Sequence, residues 1–168
     1  MTDKDLFEEA IESDNITLFI EHYEDVFGQE KTTKAVNLFM IYLLMLYYDI
    51  LSDHSRNCIQ SMIGYLKGDV SKETIEKEAE CFDSLHPTKI WLDPDFCDED
   101  RLNGATSGMM RVKPYVGFDE RERAYFFSEL LMDVRDYRHL VPVLMRYLYN
   151  LNGDVRFERV EGINATID

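Results

Sequence analysis

Apolar residues recur at helical spacing from the start of the chain. Leu6, Phe7, Ala10 and Ile11 predict a short first helix ending near Ser13 and Asp14. Asn15 is placed as the N-cap of a second helix, which turns Ile16, Phe19, Ile20, Tyr23 and Phe27 inward and stops at Gly28. A third helix starts from a cap at Thr32 or Thr33 and runs to about Leu51. It is apolar on nearly all sides, the pattern of a helix surrounded by others. A fourth covers residues 55–66, with Ile59, Met62, Ile63 and Leu66 inward and Gly68 ending it. Ser71 caps a fifth, with Ile75, Ala79 and Phe82 on one face, and the restriction before Pro87 closes it.

Residues 86–117 break the pattern. They hold three of the four prolines and three glycines without a sustained period. A stretch this long inside a compact domain is uncommon, and is usually functional or hides a short element. Asp119 and Glu122 then form an acidic capping pair before a sixth helix, whose inward face is read as Phe126, Phe127, Leu130, Leu131 and Val134. A seventh follows, with Pro142 in its first turn and Val143, Leu144, Tyr147 and Leu148 in the core. Asn152 and Gly153 make a turn. Val155, Phe157 and Val160 then alternate with charges, predicting a short terminal strand with residues 110–116 as hairpin partner. The expectation is a mostly α-helical single-domain bundle of about six to seven helices over residues 1–168. It carries a long irregular acidic loop at 86–117 and a small C-terminal β-hairpin.

Length agrees with one domain, since 168 residues bury enough surface for a core without staples. The most apolar run, residues 38–48, is eleven long, and widening it to 35–51 takes in Asn37 and Asp49. A bilayer span needs about twenty apolar residues, so a buried core helix is expected and no membrane association. Cys58, Cys81 and Cys97 are odd in number and lack metal-ligand spacing, which suits a reducing compartment and a cytoplasmic location. The acidic N-terminus has no apolar segment of the secretory kind.

Charge changes the picture. Thirty-three acids oppose eighteen bases, a net charge of −15. That surface repels phosphate, which argues against direct nucleic-acid binding. The excess is localised: residues 1–30 carry ten acids and one base, and residues 91–100 carry five acids and no base. Residues 101–168 hold ten of each and are neutral. Clustered carboxylates either keep a face solvated or steer a basic partner. The segment 91–100 also interleaves Trp91, Leu92 and Phe96 with its acids. A solvated loop has little need of aromatic residues, whereas Trp among polar residues is a common interface anchor. The competing role for Trp91 is to tack the loop onto the core.

Catalytic and metal chemistry find little to stand on. Asp93, Asp95, Asp98 and Asp100 invite a calcium loop, but no starting position places acids at 1, 3 and 5, Gly at 6 and Glu at 12. In Gly104-Ala-Thr-Ser-Gly108 the serine is one position off the nucleophile elbow, so the segment is expected to be a flexible turn. His22, His54, His86 and His139 form no metal motif. Asp136 and His139, flanked by Arg135 and Arg138, suit a surface ion-pair cluster. Tyr42, Tyr47 and Tyr48 are expected in the core with their hydroxyls on partner groups. No enzyme activity, cofactor or metal is expected.

A small, acidic, helical chain with focused charge and no catalytic motif resembles the immunity proteins that bacteria pair with secreted polymorphic toxins, those of contact-dependent inhibition included. The resemblance is one of class and spans size, acidity and helical pattern. It implies an inhibitor that docks an acidic surface on the basic active-site cleft of a cognate toxin, often a nuclease. In this chain the expected partner-binding residues are Trp91, Asp93, Asp95, Phe96, Asp98, Glu99 and Asp100, with Glu8, Glu9 and Glu12 of the first helix. Other classes remain open. One is a nucleic-acid mimic that regulates a DNA- or RNA-binding protein, which the neutral C-terminal third weakens. Another is a helical enzyme or small-ligand-binding protein with a site between the third and sixth helices. The last is a structural adaptor.

Overall fold

The computed structural model describes residues 1–112 and 119–163. Among them are eight α-helices and no strand. Side-chain caps set most of the helix starts. Thr2 and Asp5 form a reciprocal capping box that opens α1 (Asp3–Glu12). Asn15 accepts from the Leu18 amide and opens α2 (Ile16–Phe27), as expected. Ser52 opens α4 (Asp53–Lys67), which ends at the left-handed Gly68. Ser71 opens α5 (Lys72–Leu85), which stops before Pro87. Asp119 opens α7 (Glu120–Met132), and Pro142 sits in the first turn of α8 (Val141–Leu151).

α3 (Gln29–Met45) starts earlier than its threonines suggest. Gly28, at φ +85°, ends α2 and begins α3 at once. The Thr32 and Thr33 hydroxyls donate back to the carbonyls of Gly28 and Gln29, so these residues lie within the first turn of α3. The helix also stops short of Leu51. Its apolar pattern continues through a 3₁₀ turn (Tyr48–Ile50), because Tyr47 is fully buried and its hydroxyl donates to the Leu131 and Arg135 carbonyls. α3 packs on α2, α4, α6, α7 and α8, and twelve of its seventeen residues are buried. Each of its large apolar side chains contributes about 1.5–3 kcal/mol by leaving water.

The segment 86–117 conceals α6 (Asp98–Met109), packed on α7, α3, α4 and α5. A Cβ at Gly108 would sit 2.3–2.6 Å from the Phe127 ring, and one at Gly104 would sit 3.1 Å from Leu130. The 104–108 segment is therefore the helical contact that lets α6 and α7 approach, and not a flexible turn. Small residues hid this helix from a reading based on apolar period.

The inward face of α7 also departs from expectation. Phe127 and Leu131 are buried, but Phe126 is 49% exposed, and the stripe begins with Glu120 and Arg123. Arg123 is 1% exposed and donates to Glu120, to Asn37 Oδ1, and to the carbonyls of Thr33, Gly108 and Arg111. It thus ties α7 to α3 and closes the C-terminal end of α6.

The expected terminal strand is not formed. Within residues 155–160, tyrosines of α3 and α8 take backbone groups of Arg156 and Glu158. The Tyr42 hydroxyl donates to the Glu158 carbonyl at 2.6 Å and accepts from its amide at 3.1 Å. The Tyr147 hydroxyl donates to the Arg156 carbonyl. These bonds replace the ladder a hairpin would have supplied. Residues 113–116 of its expected partner lie outside the described residues. No helix among the described residues is long and apolar enough to cross a membrane.

Candidate functional site

The cleft lies where α5 ends. Phe82 stacks beside His54 and His86, and His54 Nδ1 lies 3.1 Å from His86 Nε2, which fixes the end of α5 against the start of α4. Pro87 then forces the chain outward. Two short bonds shape the next turn: the Ile90 amide donates to the Asp93 carboxylate at 3.0 Å, and the Asp93 amide to the Ile90 carbonyl at 2.9 Å. Lys89 Nζ bridges Asp95 at 2.9 Å and approaches Asp100 at 4.0 Å. The Lys89 amine holds the Asp95 carboxyl below its ordinary range, and Asp95 raises the Lys89 pKa in return. The Asp100 carboxylate accepts the Cys97 amide at 2.9 Å and begins α6.

The consequence of this bracing is a presented Trp91, 74% exposed, between Ile90 and Leu92 at 55% and 65%. Trp91 does not tack the loop onto the core. Phe96 lies lower, half-buried under the Arg101 guanidinium at 4.8 Å from its ring, with Arg101 also 3.2 Å from Asp98.

Between this loop, α6 and α7 runs a cleft of about 570 Å³. Trp91, Phe96, Phe126, Phe127 and Leu130 supply apolar walls. At its floor the Ser107 hydroxyl donates to Asp83 at 2.6 Å, and Arg111 reaches the other Asp83 oxygen at 3.3 Å. The Asp83 carboxylate thus accepts from both the Ser107 hydroxyl and the Arg111 guanidinium. Among the described residues no group of three His, Cys, Asp or Glu side chains could hold a metal ion.

The cleft gathers Trp91, Phe96 and Asp100 of the expected interface; Asp93, Asp95, Asp98 and Glu99 do not line it and lie beside those residues on the loop and the first turn of α6. Glu8, Glu9 and Glu12 are elsewhere. They lie on α1, which packs on α2 and α8, whereas α6 packs on α3, α4, α5 and α7. Glu8 is engaged by Arg146 through both carboxylate oxygens, which holds its carboxyl below the usual range. Glu9 and Glu12 are exposed. The sequence reading did not assign Asp83, Ser107, Glu129 or Asp133 to the site. The Gly104-x-x-x-Gly108 spacing was the available signal, since it makes α6 a helix in close contact with α7. The surface cluster at Asp136 and Arg138 is present, with Arg138 bonded to Asp136 and to Glu129, while Arg135 pairs with Asp49 instead.

No protein-family model, curated protein or solved structure matches the chain.

Proposed function

We propose that this chain is an immunity-type inhibitor that binds a basic cognate toxin, a nuclease being the class its charge suits best, in the bacterial cytoplasm. The observation that carries the reading is the presentation of Trp91: a large aromatic held in solvent by a braced loop and followed in the chain by five acids and no base up to residue 100. Leaving such a residue exposed costs the free protein solubility, and that cost is offset when a partner covers it. The carboxylates accelerate encounter with a positive surface and reject anionic competitors. Seated on a nuclease cleft, the loop covers the cations that would bind phosphate and so blocks substrate access. In this role the chain performs no chemistry and needs no cofactor.

A second reading, a small-ligand-binding protein, is favoured by the cleft alone, whose volume lies in the ligand range. One experiment separates the two. The protein is used to capture binders from its host across a salt series, and each captured protein is expressed alone and then together with the chain. A basic protein that arrests growth alone, is silenced by the wild-type chain and escapes the Trp91→Ala variant supports the inhibitor. If no captured protein is toxic, and a metabolite raises the melting temperature strongly, the second reading replaces the first.

A further inference from the structure

Resting on the inhibitor reading, we infer that the cleft between the 86–97 loop, α6 and α7 is a receptor for an inserted segment of the basic partner, one that places an apolar side chain beside an arginine or lysine. The docking is thus reciprocal, and the chain does more than lay a flat acidic face on its target.

The apolar half of the specificity comes from the walls. Trp91, Phe96, Phe127 and Leu130 line one cleft with the exposed Ile90, and Leu92, next to Trp91 in the chain, is exposed as well. A single aliphatic or aromatic side chain entering there leaves water against several rings at once. The cationic half comes from charge. Asp83, Asp100, Glu129 and Asp133 line the cleft with Lys89, Arg101 and Arg111, four acids to three bases, and Asp93, Asp95, Asp98 and Glu99 add negative charge on the loop and first turn of α6 that carry Trp91, Phe96 and Asp100. Each of those bases is already committed to a carboxylate: Lys89 to Asp95, Arg101 to Asp98, and Arg111 to Asp83. An entering anion would have to break one of these pairs, whereas an entering cation is drawn by the net negative charge of the adjoining 91–100 segment, which holds five acids and no base.

Helix polarity adds to this. The last turn of α7 carries no basic residue, and Glu129 and Asp133 stand at that negative end of the helix dipole beside the cleft. Arg101 and Arg138 approach Asp133 and Glu129 at 3.9 and 3.4 Å, and the two carboxylates keep 64% and 44% of their side-chain surface exposed. The opposite pole, the N-terminus of α6, is already neutralised by the Asp100 carboxylate. Asp133 and Glu129 line the same cleft as Trp91, so a guanidinium or ammonium can meet them while its neighbour packs on Trp91.

The test is selection from a phage-displayed library of random dodecapeptides against the full chain. Trp91 is the only tryptophan and reports occupancy of the cleft by its emission. Expected are peptides that pair Arg or Lys with an adjacent Leu, Ile or aromatic residue and shift Trp91 emission to the blue. They should bind at least about tenfold more weakly to Asn103→Arg, which puts a cation into the cleft from the half-buried position that Asn103 holds in its lining, and to Glu129→Gln/Asp133→Asn. Circular dichroism confirms that the variants keep their helices. Three results overturn the inference: no enrichment, enrichment of acidic or uncharged sequences, or peptides indifferent to both variants. An emission maximum that moves with protein concentration alone would assign the cleft to a second copy instead, and also overturn it. Failure of the inhibitor reading shows differently, as selected peptides that bind the cleft while no captured host protein is toxic and silenced.

Discussion

Arg123 illustrates how one residue can fix several elements. Its guanidinium is buried against Glu120 and reaches carbonyls of α3 and of the end of α6. Removing it leaves a buried carboxylate without a counter-charge and strands those carbonyls. Arg123→Met should cost about 3–5 kcal/mol in urea unfolding. Adding Glu120→Leu should recover part of that loss, because the unpaired charge goes with it. A double variant less stable than the single one would mean that Glu120 has another buried partner. Buried hydroxyls make a second prediction at this scale. Burial pushes the Tyr23 pKa up to about 12, with Asp154 adding to it, and pushes the Cys58 thiol up to about 12 as well. Tyr42 and Tyr47 are raised further, again chiefly by burial. Each folded-state value lies above the unfolded one, so each contribution is complete at neutral pH and is lost as pH climbs towards the folded value. Stability should hold to about pH 9 and then fall, with Tyr23 alone withdrawing about 2 kcal/mol by about pH 12. Urea midpoints measured alongside tyrosine absorbance check this, and a midpoint unchanged over that interval would show that these hydroxyls are solvated.

At the scale of elements, the contact between α6 and α7 makes the sharpest comparison. Alanine for glycine inside a helix gains about 1 kcal/mol from propensity. At Gly104 the new methyl meets only the end of Leu130 at 3.1 Å, so Gly104→Ala should be neutral or slightly stabilising. At Gly108 it meets three atoms of the buried Phe127 ring at 2.3–2.6 Å, and Gly108→Ala should be destabilising by about 1–3 kcal/mol net of propensity. Paired thermal melts decide it, and equal shifts would mean that the ring relaxes freely. The same contact explains what was legible in the sequence. Asn15, Ser71, Gly68 and Asp119 act as the caps their residue types announce, because capping is a local hydrogen bond. α6 was not legible, because between its buried Leu102 and Met109 the packing side is Ala105, Thr106 and Gly108, which carry little hydrophobic signal. The terminal segment alternates like a strand, yet Tyr42 and Tyr147, more than a hundred and about ten residues away, satisfy its backbone. Within the site, Trp91 and Phe96 stood out by type, but Asp83 and Ser107 become neighbours of the loop only through the meeting of α5 and α6.

The whole molecule carries its excess charge in two places that the fold keeps on different helices, and this makes the role of each separable. If the proposed docking runs through the loop, its carboxylates govern encounter while those of α1 supply only long-range field. Exposed charges separated by more than about 8 Å are largely screened at physiological salt. Asp93→Asn, Asp95→Asn, Asp98→Asn and Glu99→Gln combined should therefore slow association with the captured toxin by about tenfold or more at low salt, flattening its salt dependence. Glu9→Gln with Glu12→Gln, both exposed on α1, should change the rate by less than about twofold, chiefly below about 50 mM salt. Asp100 and Glu8 stay untouched in these variants, since one caps α6 and the other anchors Arg146. Stopped-flow fluorescence of Trp91 reads the rate directly. Should the α1 variants slow association and the loop variants leave it unchanged, the docking face would move to the first helix, and the exposed Trp91 would need a different partner.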